Sequence, residues 1–439
     1  MNSTVMSRYR WNVVTLLFFA TTINYIDRQV MGLLKDDLAK AFNWTETDYG
    51  NLVTAFSAAY AIGLLAFGRI VDKLGSKMGY TISITLWSIA AMANAAAKST
   101  FGFGAARVAL GFGEGGNFPS AIKATAEWFP KKERAFATGI FNAGANIGAV
   151  VGPAIVYGIA RQQGWESAFL WTGAIGFVWL VLWWVFYEVP ARHKKINKAE
   201  FDYIHSDEIT PADPVATEAA IQEPQKKIPW VKLFGIRQTW AFLFGKLLTD
   251  PVWWFFLFWM PSYLSNTYNV NMKDSLGLPI IVIYTITSVG SIGGGWLSSY
   301  LIKRGWPIFK ARKTSMLIFA VCVLPVMLIQ YVDNLWTAVL LLSLATAAHQ
   351  AWSANIFTTA SDMFPKSALS SVVGIGGMAG SVGGMLFPLV VGAMLDHYKV
   401  LGNINTGYNL LFTICAFAYL LAWLLMHLFA PKMEMVEVK

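Results

Sequence analysis

Apolar runs of about 20 residues or more recur along the chain, each closed by a short polar turn. A helix needs about that length to cross roughly 30 Å of hydrocarbon. The runs lack the period-two alternation of strands in a membrane barrel. Twelve segments can be placed, at roughly 11–34, 48–70, 79–97, 101–124, 135–160, 166–188, 238–264, 276–302, 314–332, 335–360, 368–395 and 406–430. One long polar stretch, about Pro190 to Arg237, interrupts them between the sixth and the seventh. It holds Arg192-His193-Lys194-Lys195, a middle rich in Pro, Ala and Glu, and Lys226-Lys227. The pattern predicts an all-α integral membrane protein of twelve transmembrane helices. A six-helix bundle over 1–189 and another over 238–439 are joined by a linker over 190–237.

Composition supports the membrane assignment, since only 13% of the 439 residues are charged and 56% are hydrophobic, against roughly a quarter charged in a soluble domain. The net charge of +9 would suit nucleic acid, but its placement gives another reason for it. Arg8 and Arg10 precede the first segment, and Arg69, Lys73 and Lys77 lie between the second and third. Lys131, Lys132 and Arg134 follow the fourth, and Lys303, Arg304, Lys310, Arg312 and Lys313 follow the eighth. The alternate connections hold mainly Lys35, Lys40, Lys98, Arg161, Lys273 and Lys399. Because positive loops stay inside, both termini and the linker are expected in the cytoplasm, with no nucleic-acid partner. The run from Trp11 has the basic flank of a signal peptide but no small-residue cleavage site, so it reads as a retained helix.

Four ionisable residues interrupt this apolar background: Asp27 and Arg28 in the first segment, Arg107 and Glu114 in the fourth. Charge at membrane depth costs about 2.5 kcal/mol or more per group, so such groups line a hydrated path, pair, or meet an ion. Arg107 and Glu114 are seven apart, nearly one helix face, and about 10 Å apart along the axis. Counted from opposite membrane faces, Asp27 and Arg107 reach a similar height, with Glu114 deeper. Two guanidiniums can clamp a carboxylate through fork-shaped hydrogen bonds. Both signs together can hold an anion and take up a proton. Glu114, farther from the cations, is expected to protonate more easily. Asp27 is expected to exchange Arg28 for a proton when an anion takes the arginines. The plain alternatives are a structural Asp27–Arg28 pair, a packing Arg107 and a permanently protonated Glu114.

Enzyme chemistry finds no foothold. There is no GxxxxGK[ST] loop for ATP and no GxSxG. The five His and two Cys are too scattered for a metal site, and Cys322 and Cys415 read as small buried residues. No cofactor is expected. Gly139, Gly144, Gly148 and Gly152 in the fifth segment, and six glycines from Gly374 to Gly384 in the eleventh, let helices approach closely. Their equivalent places suggest paired contacts between halves that rock.

The stretch from Gly68 through Asp72 and Lys73 to Gly75 and Lys77 closely resembles the signature loop of the major facilitator superfamily. Here Gly68 permits close approach, and Asp72 can pair with Arg134 or face the positive end of the eleventh helix, latching the cytoplasmic side. The copy at Gly295–Arg304 has Ser299 at the acidic position, so the latch is expected to rest mostly on the first copy. A closer resemblance spans nearly the whole chain. Asn24-Tyr25-Ile26-Asp27-Arg28, Arg107 with Glu114, and Asn117-Phe118-Pro119 resemble the anion:cation symporter family. Lys123–Arg134, Phe141-Asn142, Asp250-Pro251-Val252-Trp253 and His349-Gln350-Ala351 are similar to its bacterial hexuronate subgroup.

That resemblance implies a proton-coupled symporter of the bacterial inner membrane importing a sugar-acid anion. It places substrate near Tyr25, Arg28, Tyr60 and Arg107, with proton coupling on Asp27 and Glu114. From the second half we expect Trp253, His349, Gln350, Trp352 and Asn355 at the substrate; the alternative for His349 is a core residue, and for the tryptophans packing. Galactonate carriers of the family use a glutamine where this chain has Ala145, which favours a hexuronate such as glucuronate or galacturonate. Another organic anion, an organic-phosphate exchanger and a non-transporting sensor are the rivals. The expected partners are the substrate, protons and lipid, with the chain acting as a monomer.

Overall fold

Helix is the only regular structure among the described residues of the computed structural model, which are 6–207, 228–268 and 278–436. Lys226, Lys227, the middle of the linker and Lys273 lie outside them. Before the linker come α1 (Arg10–Leu33), α2 (Lys35–Phe42), α3 (Glu46–Ala95), α4 (Thr100–Glu114), α5 (Asn117–Trp128), α6 (Lys131–Gln163) and α7 (Trp165–Phe186). Two short helices, α8 (Lys198–Ile204) and α9 (Trp230–Leu233), belong to the linker. Then follow α10 (Arg237–Tyr268), α11 (Leu278–Lys303), α12 (Ile308–Val323), α13 (Leu335–Met363), α14 (Leu369–Val400) and α15 (Ile404–Phe429).

Local chemistry sets where these elements start and break. Thr45 caps α3 by accepting the Asp48 amide at 3.1 Å while the Asp48 carboxylate accepts the Thr45 amide at 2.9 Å, a reciprocal cap that satisfies two orphan donors. The second and third sequence segments run together in α3, interrupted only at Gly75, whose φ of 84° and ψ of 166° favour glycine. The fourth segment splits into α4 and α5 at Gly115-Gly116, and the ninth continues past α12 as a 3₁₀ stretch, Leu324–Tyr331.

Among the described residues, seven helices are long and apolar enough to cross a membrane by length and composition: α3, α6, α7, α11, α12 with its 3₁₀ extension, α14 and α15. The long helices outside that set, α1, α10 and α13, carry Asp27 and Arg28, Lys246 and Asp250, and His349, Gln350 and Asn355.

Helices from opposite sides of the linker meet chiefly in two pairs, α3 on α14 and α6 on α11, with further contacts of α13 on α6 and of α14 and α13 on α5. The two glycine-rich helices therefore each pack across the linker, but against α11 and α3 rather than each other. At Gly68 an added Cβ would lie 2.6 Å from the Ser370 carbonyl oxygen, so the backbones touch where only glycine fits. The same end holds the start of the chain and α8. Glu200 accepts from the Ser7 hydroxyl at 2.6 Å, the Tyr9 amide at 3.0 Å and the Arg10 guanidinium at 3.1 Å. Beside it the His193 ring lies 4.2 Å from Tyr9 and 5.2 Å from Trp128, and burial pushes its pKa down, favouring a neutral stacking ring. This end of the bundle is closed.

Candidate functional site

A cavity with about 610 Å³ of empty volume, its open part included, lies between the two sets of helices. Tyr25 and Arg28 of α1 and Tyr60 of α3 line one wall; Lys246, Asp250 and Trp253 of α10 and His349 and Gln350 of α13 line the other. Its floor is made where the sets meet. Phe118 stacks on Phe357 at 5.1 Å, and the Asn142 side-chain amide donates to the Gln350 oxygen at 2.6 Å.

Arg28 is the cation of the first wall. Its Nε donates to Glu114 Oε2 at 2.8 Å, and its guanidinium lies 4.4 Å from the Tyr60 ring centre and 4.9 Å from that of Tyr25. This overturns the expected pairing: Arg28 holds Glu114, not its neighbour Asp27, and Glu114 is not remote from the cations. Successive residues of a helix point about 100° apart, so Asp27 cannot follow Arg28 into the cavity. It faces the interior of the first helix set, 1% exposed, with neither carboxylate oxygen hydrogen-bonded and the Thr172 hydroxyl nearby. An ionised carboxylate there has only the Thr172 hydroxyl and the charge of Arg107 to set against its desolvation.

Arg107 is also displaced from its expected place. Phe56 sits between the two arginines, with Arg107 4.5 Å and Arg28 5.4 Å from its ring centre. Arg107 is 2% exposed, Nε and one terminal nitrogen lack hydrogen-bond partners, and it does not line the cavity. A two-arginine clamp is therefore not assembled in this state.

On the second wall, Trp253 and His349 stack at 5.0 Å and 10°, and Tyr419 fixes the other side of the imidazole, its hydroxyl 2.5 Å from Nδ1. Gln350 is held by Asn142 and, at 3.4 Å, by Asn146. Trp352 and Asn355 do not reach the cavity. Trp352 is fully buried against Tyr419, and the Asn355 amide donates to the carbonyls of Gly294 and Ala351, each at 2.9 Å. Relative to His349, the lining residues Gln350, Ser353 and Phe357 fall within an arc of about 100°, whereas Trp352 and Asn355 fall outside it. The ion pair between Lys246 and Asp250, 2.8 Å apart and both on the cavity wall, was missed by sequence reasoning. Its signal was the spacing of Lys246, Asp250 and Trp253 at i, i+4 and i+7.

Between the floor and the closed end lies the loop expected to act as a latch. The Asp72 carboxylate accepts the Ser370 and Ser371 amides at 3.1 and 2.7 Å, at the start of α14, and Lys123 Nζ at 3.2 Å. Of the two expected partners it takes the helix N-terminus, whose free amides and dipole favour an anion. Arg134 instead donates to the carbonyls of Ala126, Phe129 and Ser361 and stands 4.0 Å from Asp362. Lys73 is exposed.

The second copy of the loop is not idle, although Ser299 Oγ has no hydrogen bond. Arg312, fully buried, donates to Asp362 at 2.9 Å, Ser298 at 2.7 Å and, across the linker, the Lys131 carbonyl at 2.8 Å. Lys303 reaches Glu133 at 3.2 Å. The latch thus has two arms. Asp72→Asn weakens the two charge-assisted hydrogen bonds from Ser370 and Ser371 that cross between the helix sets, together about 2 kcal/mol or more. It is expected to shift the conformational equilibrium away from this closed end by at least about 30-fold, read as increased labelling of a cysteine placed at Ser370; unchanged labelling would count against the latch.

Comparison with known proteins supports the fold. The hexuronate transporter of Escherichia coli K12 is 31% identical over 432 residues, covering 98% of this chain and 96% of its own. The galacturonate transporter of Dickeya chrysanthemi is 31% identical over 289 residues, 66% of this chain and 81% of its own. The structure of the proton:xylose symporter XylE superposes with a TM-score of 0.75 over 97% of both chains at 17% identity, a likeness of fold. The Major Facilitator Superfamily model matches residues 17–388. The chain, whose described residues form helices with a cavity between two helix sets, belongs to the major facilitator superfamily.

Proposed function

We propose that this transporter imports a sugar-acid monoanion, a hexuronate such as glucuronate or galacturonate, together with a proton across a bacterial inner membrane. On this reading there are twelve crossings in two six-helix halves over 1–189 and 238–439. The latch end, the termini and the linker lie in the cytoplasm, so the latched state faces outward. The supporting observation is the Arg28–Glu114 pair at 2.8 Å on the cavity wall. An incoming carboxylate that takes the fork of the guanidinium including Nε displaces Glu114, and the displaced carboxylate, in a poorly hydrated site, then takes up a proton. Anion and proton bind cooperatively, and the pair crosses without added charge. Asp27 is a second candidate proton carrier. The names of the relatives support uronates, as does Ala145, buried on α6 with no side-chain donor for an extra hydroxyl.

Uptake into proteoliposomes tests this. Glucuronate or galacturonate should accumulate when the interior is made alkaline, and accumulation should collapse with the gradient. Accumulation indifferent to the gradient would end the symport reading, and failure of every sugar acid to compete would end the substrate reading.

A further inference from the structure

We propose that Lys246 and Asp250 form a subsite that receives the hydroxyl end of the substrate and excludes acids bearing a second carboxylate. The inference rests on the transport reading above and names what the wall opposite Arg28 does. The two side chains lie 2.8 Å apart, one helical turn from each other. Their ion pair therefore forms within α10 and is not a bridge between two helices.

The surroundings leave the pair available to a ligand. Lys246 is pressed against the face of Phe357, 4.2 Å from its centre, and Phe357 forms the floor with Phe118. Asp250 is the more accessible partner, its side chain 21% exposed against 6% for Lys246. It abuts α14 at Gly380, where an added Cβ would come within 2.8 Å of its carboxylate carbon. Trp253 continues the same face one turn on, its ring stacked on His349.

A paired ammonium and carboxylate still offer N–H donors and carboxylate lone pairs side by side. That is the complement of neighbouring sugar hydroxyls, one donating to Asp250 and one accepting from Lys246. The pair has no net charge, so it does not draw a second anion. A dianion with one carboxylate on Arg28 would bring the other against Asp250, and like charges at close range in a poorly screened site repel strongly. Selectivity for a monoanion would thus come from a repulsive element as much as from an attractive one.

Binding of glucuronate and of the dicarboxylate glucarate to the purified full chain tests the subsite. The readout is the ratio of the two dissociation constants in the unaltered chain, in Asp250→Asn and in Lys246→Gln/Asp250→Asn. Asp250→Asn frees the ammonium and should shift the ratio toward glucarate by about 10- to 100-fold, the range of a charge-assisted hydrogen bond. The double variant has neither the freed ammonium nor the repelling carboxylate, so its ratio should fall between those of the unaltered chain and Asp250→Asn. If Asp250→Asn does not fold, Asp250→Ser gives the same reading. An unmoved ratio, or a folded single variant that binds neither acid, would overturn the subsite alone. An unaltered chain that binds no sugar acid would overturn the transport reading and the subsite with it.

Discussion

Replacing Arg28 with alanine is expected to weaken sugar-acid binding by at least about 100-fold and to abolish uptake. Two effects add. The substrate carboxylate loses its charge-assisted hydrogen bonds, about 1.5–3 kcal/mol. Glu114, fully buried, loses the partner that compensates its charge. Arg28→Lys separates charge from shape. A lysine keeps the positive charge but not the planar fork, nor the broad cation held over Tyr25, Tyr60 and Phe56, and the two residues are not interchangeable at such sites. Lysine should therefore recover less than a tenth of the affinity. Full rescue by lysine, measured by equilibrium binding on the purified protein, would show that Arg28 acts only as a point charge.

Glu114→Gln should separate binding from proton coupling. The amide leaves Arg28 without its competing anion, so the variant should bind glucuronate at least as tightly as the unaltered protein. With one proton linked to binding, affinity in the unaltered protein improves by up to ten-fold per pH unit on acidification, through the range where Glu114 becomes protonated only when substrate is present. The variant should lose that slope. Counterflow, which needs no net proton movement, should persist while gradient-driven accumulation fails. A variant that still accumulates substrate against a gradient would transfer the coupling to another group, with Asp27 the first to examine.

Asp27 and Arg28 illustrate what the sequence could and could not reveal. Both stand out as charges in an apolar run, and their cost in a membrane marks them as functional without any structure. Which one faces the cavity is a matter of helix phase and of where α4 lies, and adjacent charges invite a pairing that a helix forbids. The contact of Asp72 with the start of α14 was legible, although its partners are 298 positions or more away, because the loop from Gly68 to Lys77 resembles a known signature. The Arg312–Asp362 arm was not, because the loop copy that should have supplied the acid carries Ser299. Trp352 and Asn355 were drawn in by composition, since aromatic and amide groups suit a sugar, yet their phase on α13 turns them into the packing. Lys246 and Asp250 were passed over because their motif drew attention to Trp253, and a polar pair one turn apart is invisible to a scan for isolated charges.

The most direct test is proton uptake on substrate binding. Purified protein in weakly buffered detergent solution, mixed with glucuronate at neutral pH, should take up about one proton per molecule bound, reported by a pH indicator dye. Glu114→Gln, binding the same amount of substrate, should take up close to none. Binding by the unaltered protein with no proton uptake at any pH between about 6 and 8 would refute displacement of Glu114 from Arg28 as the link between anion and proton.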